Sequence, residues 1–214
     1  MPGRPNPSRA AVLLVAAIAL LLSSCGALKR CAYEGFLRDR WQQPERVVAD
    51  LALAPGARVA DLGAGGGYFT FRLAQAVGPA GLVYAVDIDP DMVDFLAEQA
   101  AEQELANVRP VLAAVDDARL PERVDLVFTS NTYHHLENRT AYFGALRDRA
   151  LASGGRVAIV EYRPEVTSHA TARETIEQEM TAAGFRLVKS FDYLERQHFL
   201  VFESASSNPE EPPR

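Results

Sequence analysis

The feature that most constrains this chain is a short apolar stretch that runs directly into a cluster of glycines. Residues 58–68 read RVADLGAGGGY, with glycine at Gly63, Gly65 and Gly67. Glycine adopts positive φ without strain and lets another group approach the backbone closely. The first N–H groups of a helix that follows such a turn are free to bind a ligand. The segment therefore predicts a strand, a ligand-binding turn and a helix, with a turn that binds nothing as the alternative.

Two acids near this turn favour a cationic nucleoside as the ligand. Asp61 lies two residues before the first glycine, where a carboxylate is unfavourable beside a pyrophosphate but favourable beside a cation. The dinucleotide pattern G-x-G-x-x-G would place its third glycine at Tyr68, so an NAD-type oxidoreductase fits less well. Asp87 ends the next predicted strand, where carboxylates of doubly wound sheets hold ribose hydroxyls.

Strand-like and helix-like segments alternate through most of the chain. Such alternation predicts an α/β fold, a Rossmann-like, mostly parallel sheet with helices on both faces. The last two strands are joined by a link too short for a parallel crossover, so they must be antiparallel. The predicted helices begin near residues 44, 68, 90, 140 and 171, and the predicted strands are 58–62, 82–87, 108–112, 124–129, 156–161, 185–193 and 198–203.

Composition and charge narrow the functional class. The chain has 214 residues, 48% of them hydrophobic, and a formal net charge of −6. This is a globular composition, and its acidic balance argues against binding nucleic acid by neutralising phosphates. Two cysteines are too few for a structural zinc site or a disulfide framework, and we predict no metal site.

Taken together, these motifs resemble the class I S-adenosylmethionine-dependent methyltransferases, from about Arg40 onward. The matching pieces are DLGAGGG at 61–67, VDI at 86–88, DDA at 116–118 and LASGG at 151–155. Within that superfamily the chain is most similar to small-molecule methyltransferases of the quinone-biosynthesis group. The resemblance implies a seven-stranded sheet with an antiparallel last strand, S-adenosylmethionine as cofactor and a small-molecule acceptor.

The resemblance also implies roles for individual residues. The glycine loop would lie under the methionine part of the cofactor, with Asp61 near its ammonium group. Asp87 would hold the ribose and Ile88 would pack on the adenine. Either Asp116 or Asp117 would accept a hydrogen bond from the adenine amino group.

The acceptor site is expected after the fourth strand, at the carboxyl edge of the sheet. Residues 130–136 read SNTYHHL, which differs from the Asn-Pro-Pro-aromatic signature of methyltransferases that modify amino groups of adenine or glutamine. His134 or His135 is a candidate general base for a hydroxyl acceptor, and packing near the cofactor is the alternative. His169 is a weaker candidate, and Trp41 either belongs to a lid over the cofactor or packs the N-terminal helix onto the domain.

The N-terminus resembles the signal peptide of a bacterial lipoprotein. Arginines precede an apolar run that is shorter than the roughly 20 residues of a spanning helix, and LSSC at 22–25 resembles a lipobox with Cys25 as the lipidated residue. We predict a signal peptide at 1–24, a tether with a short helix at 25–43, a catalytic domain at 44–203 and a disordered tail at 204–214. The alternatives are cleavage elsewhere and an uncleaved anchor.

This leader places the protein in the cell envelope, lipid-anchored to a membrane and facing the periplasm, whereas S-adenosylmethionine is made in the cytosol. The sequence fits three explanations: an exported methyltransferase, an anchor that faces inward, or a tethered module that binds a nucleoside ligand without turnover.

Overall fold

One mixed sheet organises the part of the chain that the structure, a computed structural model, describes, which is residues 38–205. The strands are β1 (Arg58–Leu62), β2 (Leu82–Asp87), β3 (Val108–Leu112), β4 (Val124–Ser130), β5 (Leu151–Tyr162), β6 (Phe185–Phe191) and β7 (Gln197–Ser204). The helices are α1 (Arg38–Gln42), α2 (Pro44–Asp50), α3 (Thr70–Val77), α4 (Pro90–Glu102), α5 (Arg139–Ala150) and α6 (Arg173–Ala182). The predicted signal peptide, the lipidation at Cys25 and all but the first two residues of the predicted tail lie outside the described residues.

The sheet has the strand order β3-β2-β1-β4-β5-β7-β6. The first five strands pair in parallel, whereas β7 runs antiparallel to both β5 and β6. This confirms the predicted Rossmann-like fold with an antiparallel last strand. After β3 the chain returns to the other side of β1, so a crevice opens between the carboxyl ends of β1 and β4.

Two strand boundaries differ from the prediction by more than one residue. The sequence predicts the fifth strand from residue 156, but β5 begins at Leu151, which pairs with Val124 before the register shifts. Gly154 absorbs this irregularity with a φ of 74°. The sixth strand ends at Phe191 rather than at Tyr193, so the link to β7 comprises residues 192–196.

Helices cover both faces of the sheet. On one face, Val47 of α2, Leu73 of α3 and Leu96 of α4 are buried against the strands. On the other face, Phe143 of α5 and Met180 of α6 are buried. Alternate residues of the central strands point to the two faces, and because both faces are covered most of their residues are apolar. No helix among residues 38–205 is long and apolar enough to cross a membrane.

Candidate functional site

The glycine loop after β1 folds back onto the neighbouring strands. The N–H groups of Gly63 and Ala64 donate to the Val86 carbonyl at 2.8 and 3.0 Å. Gly63, Gly65 and Gly67 have φ values of 76°, 53° and 82°, which only glycine adopts without strain. A Cβ on Gly63 would also overlap with the Thr132 side chain. The loop is therefore held directly against the segment that follows β4.

Asp87 connects this loop to the end of β2. Its Oδ2 accepts a hydrogen bond from the Gly65 N–H at 2.7 Å, and its Oδ1 accepts one from the Asp89 N–H at 3.0 Å. Each carboxylate oxygen has a second lone-pair site, so both can accept a further hydrogen bond. The half-buried Asp87 thus fixes the loop and remains a suitable acceptor for vicinal hydroxyl groups.

Asp61 is almost entirely buried, with 3% of its surface exposed. Its Oδ2 accepts a hydrogen bond from the Thr70 hydroxyl at 2.6 Å. Burial raises the pKa of this carboxyl to about 6, the Thr70 hydrogen bond opposes the shift, and the nearby negative charge of Asp87 adds to it. The two predicted acids therefore lie close together, at the ends of neighbouring strands.

Apolar and acidic side chains follow the next two strand ends. Ile88 after β2 is 56% exposed and Val115 after β3 is 58% exposed. Exposed aliphatic side chains of this kind can pack on a flat ring. The Asp117 Oδ1 accepts from the Arg119 N–H at 2.8 Å, and Asp116 beside it is exposed. Both candidate acids thus lie in the segment after β3, and which of them would serve an adenine stays a prediction.

The two adjacent histidines lie in a short 3₁₀ turn after β4, and they differ in their surroundings. The His134 Nδ1 lies 2.8 Å from the Oε1 of Glu161, a fully buried residue near the end of β5. Glu161 also accepts from the Tyr162 N–H at 2.8 Å. Burial raises the pKa of Glu161, and the His134 imidazole opposes this shift. His135 has no carboxylate partner among residues 38–205, and burial lowers its pKa.

A cavity of about 510 Å³ lies beside these histidines. It brings together the three histidines named from the sequence and Trp41, and none of its lining residues is acidic. The Trp41 and Tyr162 rings are stacked with their centroids 5.9 Å apart, and the Arg196 guanidinium lies 5.5 Å from the Trp41 ring centroid. The lining residues are Trp41, His134, His135, Tyr162, Val166, Thr167, His169 and Arg196.

The short helix α1 spans the glycine loop and this cavity. At one end the Arg38 guanidinium lies 3.7 Å from the centroid of the Tyr68 ring. At the other end Gln42, which is buried, donates from Nε2 to the Ser130 hydroxyl at 2.9 Å. Trp41 lies between them and lines the cavity, so it both packs α1 onto the domain and borders the site.

Sequence reasoning missed Arg38, Glu161 and Arg196. A signal existed for Glu161, because an acid that ends an otherwise apolar buried strand needs a partner. Arg38 and Arg196 carry no such signal, since each lies in a short polar segment. Among residues 38–205 no group of three or more His, Cys, Asp or Glu side chains is arranged to hold a metal ion.

Comparison with known proteins connects this geometry to one family. A family model described as a methyltransferase domain matches residues 53–200. Arsenite methyltransferase of Halobacterium salinarum is 36% identical over 108 residues, which are 50% of this chain and 28% of that protein. Demethylmenaquinone methyltransferase of Staphylococcus aureus is 30% identical over 125 residues, which are 55% of this chain and 48% of that protein. The chain thus spans less than half the length of these two relatives.

A solved structure gives the same fold. A SAM-dependent methyltransferase from Aquifex aeolicus superposes with a TM-score of 0.75 and 22% identity, covering 85% of this chain and 97% of that one. A magnesium protoporphyrin IX methyltransferase from Synechocystis with bound SAM has a TM-score of 0.59 at 23% identity over 77% of this chain and 79% of that one.

The buried Asp61 carboxyl gives a pH-dependent prediction. Its folded pKa of about 6 exceeds the ordinary value near 4, so the folded state binds more protons in that interval and stability falls as pH rises from about 4 to about 6. Asp61→Asn should remove this loss and stabilise the chain at pH 7 by about 1–3 kcal/mol.

Urea unfolding at pH 4.5 and pH 7 measures this effect. Exposed Asp94 on α4 offers a matched control, since Asp94→Asn should change stability by less than about 0.5 kcal/mol at either pH. An Asp61→Asn chain that is less stable than the natural one at pH 7 would contradict the assignment of a destabilising buried charge.

Proposed function

The chain belongs to the methyltransferase domain family, and we propose that it transfers the methyl group of S-adenosylmethionine to a small molecule held in the histidine cavity. The observation that carries the proposal is the packing of Thr132 against Gly63. This contact joins the loop expected under the methyl donor to the turn that carries His134. Donor and acceptor sites that share a wall are what an in-line transfer requires, because the reacting atoms must be aligned at close range.

The residues at the loop suit the predicted cofactor, whose family-level assignment the comparisons confirm. Asp87 would accept hydrogen bonds from the ribose hydroxyls, and Ile88 would pack on the adenine. Asp116 or Asp117 would accept from the adenine amino group, while Asp61 offers a negative charge toward the ammonium group. The cofactor supplies a methyl group already activated by a sulfonium, so the protein has to position the acceptor and exclude water.

Two kinds of acceptor named by the relatives fit this chain poorly. Arsenite is a soft centre that binds thiolates, and both cysteines of the chain, Cys25 and Cys31, lie outside the predicted catalytic domain at 44–203. A fibrillarin-like rRNA/tRNA methyltransferase of Pyrobaculum aerophilum is 29% identical over 172 residues, but the net charge of −6 disfavours a polyanion. A small organic molecule, as for the quinone-directed relative, is the acceptor class that we favour.

Calorimetric titration of the full-length chain with S-adenosylmethionine and, separately, with NAD tests the donor site. We expect binding of S-adenosylmethionine alone, and Asp87→Ala should weaken it at least tenfold, because the variant removes the ribose acceptor and frees the Gly65 N–H. Asp94→Ala on the exposed face of α4 is the control and should bind normally. Preferential binding of NAD would replace the proposal with an oxidoreductase, and donor binding without methyl transfer to any acceptor would favour a binding module.

We also propose that the protein is attached to the cell envelope through a lipid at Cys25, on the periplasmic side. The proposal rests on the LSSC segment and the apolar run before it. Labelling of the bacterial host with an alkyne-bearing fatty acid should mark the natural chain and Cys31→Ser, but not Cys25→Ser. A label that persists in Cys25→Ser would refute this attachment site.

A further inference from the structure

The histidine cavity combines three features that together point to one class of acceptor. We propose that the acceptor is a phenol that carries a carboxylate, with its hydroxyl at His134, its ring against Trp41 and Tyr162, and its acid group at Arg196. The inference rests on the proposed methyltransferase function and adds the identity of the acceptor and the roles of Glu161 and Arg196.

The first feature is the orientation of His134 by Glu161. An ionised carboxylate only accepts hydrogen bonds, so the His134 Nδ1, 2.8 Å from Glu161 Oε1, carries the proton and donates it. The neutral ring then presents Nε2 as a proton acceptor. Glu161 is fully buried. Its Oε1 also accepts from the Tyr162 N–H, and its Oε2 accepts from the His134 backbone N–H. Glu161 is therefore a positioning residue that acts through His134.

An oriented base is useful only for an acceptor that loses a proton during the transfer. A phenol, with a pKa of about 10 as in tyrosine, is within reach of an imidazole base, whereas an aliphatic alcohol is much less acidic. In the step, the hydroxyl proton passes to His134 Nε2 and the oxygen forms a bond to the methyl carbon. The carbon–sulfur bond breaks and its electron pair stays on sulfur, which becomes a neutral thioether. The imidazolium later returns its proton to water.

The second feature is an aromatic wall. The stacked rings of Trp41 and Tyr162 border a space of about 510 Å³, which is within the usual range for a small-molecule site. Aromatic ligands gain about 0.5–1.5 kcal/mol from offset or edge contacts with such rings, beyond the burial of their surface. The ring of the acceptor is thus expected on this wall.

The third feature is the charge of the cavity, which is opposite in sign to that of the chain. Exposed Arg196 lies beside the Trp41 ring, and among residues 38–205 its guanidinium has no carboxylate within 4.0 Å. The other ionisable groups that line the cavity are histidines and Tyr162, and Glu161 is buried behind His134. A guanidinium binds a carboxylate through two parallel hydrogen bonds. The chain as a whole carries a net charge of −6, so most of its surface repels an anion. An anionic ligand is therefore expected to bind at this local basic site.

Matched acceptors test the proposal on the full-length chain with methyl-deuterated S-adenosylmethionine. The pair is para-hydroxybenzoate and para-hydroxybenzamide, which differ in charge but not in ring or hydroxyl; a neutral naphthoquinol is the third acceptor. Mass spectrometry should find O-methylation, with kcat/KM at least tenfold higher for the hydroxybenzoate than for the amide. Arg196→Gln should abolish this preference by raising KM for the acid about tenfold, and Arg186→Gln on β6 should retain it.

The role of Glu161 is tested by the split between kcat and KM. Glu161→Gln keeps the shape of the side chain but removes the carboxylate that accepts the proton of His134 Nδ1. We expect kcat to fall about tenfold to a hundredfold, because the imidazole is no longer held in the tautomer that accepts the hydroxyl proton, while KM for the hydroxybenzoate stays unchanged. A merely structural role would also raise KM or weaken donor binding. Unchanged binding of S-adenosylmethionine shows that the variant is folded; if it is misfolded, His134→Gln serves instead and should lower kcat by a similar factor at unchanged KM.

The outcomes separate the two proposals. Equal turnover of acid and amide, a preference that survives Arg196→Gln, or carbon methylation of the naphthoquinol as the main reaction would overturn the acceptor class. A chain that binds the donor but methylates none of the phenols would overturn it as well, while the donor site stands. A chain that does not bind S-adenosylmethionine would instead contradict the proposed function.

Discussion

The hydrogen bond from the Gly65 N–H to the Asp87 carboxylate is the contact on which the rest of the site depends. It ties the loop after β1 to the end of β2. The loop can adopt this path because its glycines tolerate positive φ. A carboxylate in this place therefore has two tasks, since it shapes the loop and presents oxygens to a ligand.

The second constraint is the topology of the sheet. Because the chain crosses from β3 back to β4 beside β1, the carboxyl ends of β1 and β4 adjoin, and Thr132 comes to lie against Gly63. The acceptor-side turn is thus positioned by the same loop that would hold the donor. Helix α1 adds a third connection, since Arg38 contacts Tyr68 at one end while the other end reaches the cavity. A small molecule in that cavity is bordered by α1 and by the turn after β4, and both contact the glycine loop or Tyr68 beside it.

Much of this arrangement could be predicted from the sequence, for physical reasons. Strand and helix periodicity, the glycines and the short final link are local signals, and they define the sheet and its antiparallel end. The positions of Asp61 and Asp87 follow from their places at strand ends. The pairing of His134 with Glu161 joins residues 27 positions apart, and the stacking of Trp41 on Tyr162 joins two distant segments. Such pairings depend on the packed fold, so no local sequence pattern predicts them. The predicted start of β5 was wrong because its first residue pair is separated from the others by a register shift.

We propose that a nucleoside lies on the glycine loop with its ribose at Asp87. A crystal structure of the full-length chain with S-adenosylhomocysteine tests this most directly. We expect both ribose hydroxyl oxygens within about 2.6–3.2 Å of the Asp87 carboxylate and the sulfur on the side of the loop that faces the His134 turn. A ligand bound elsewhere, or a ribose turned away from Asp87 with the sulfur remote from that turn, would contradict it.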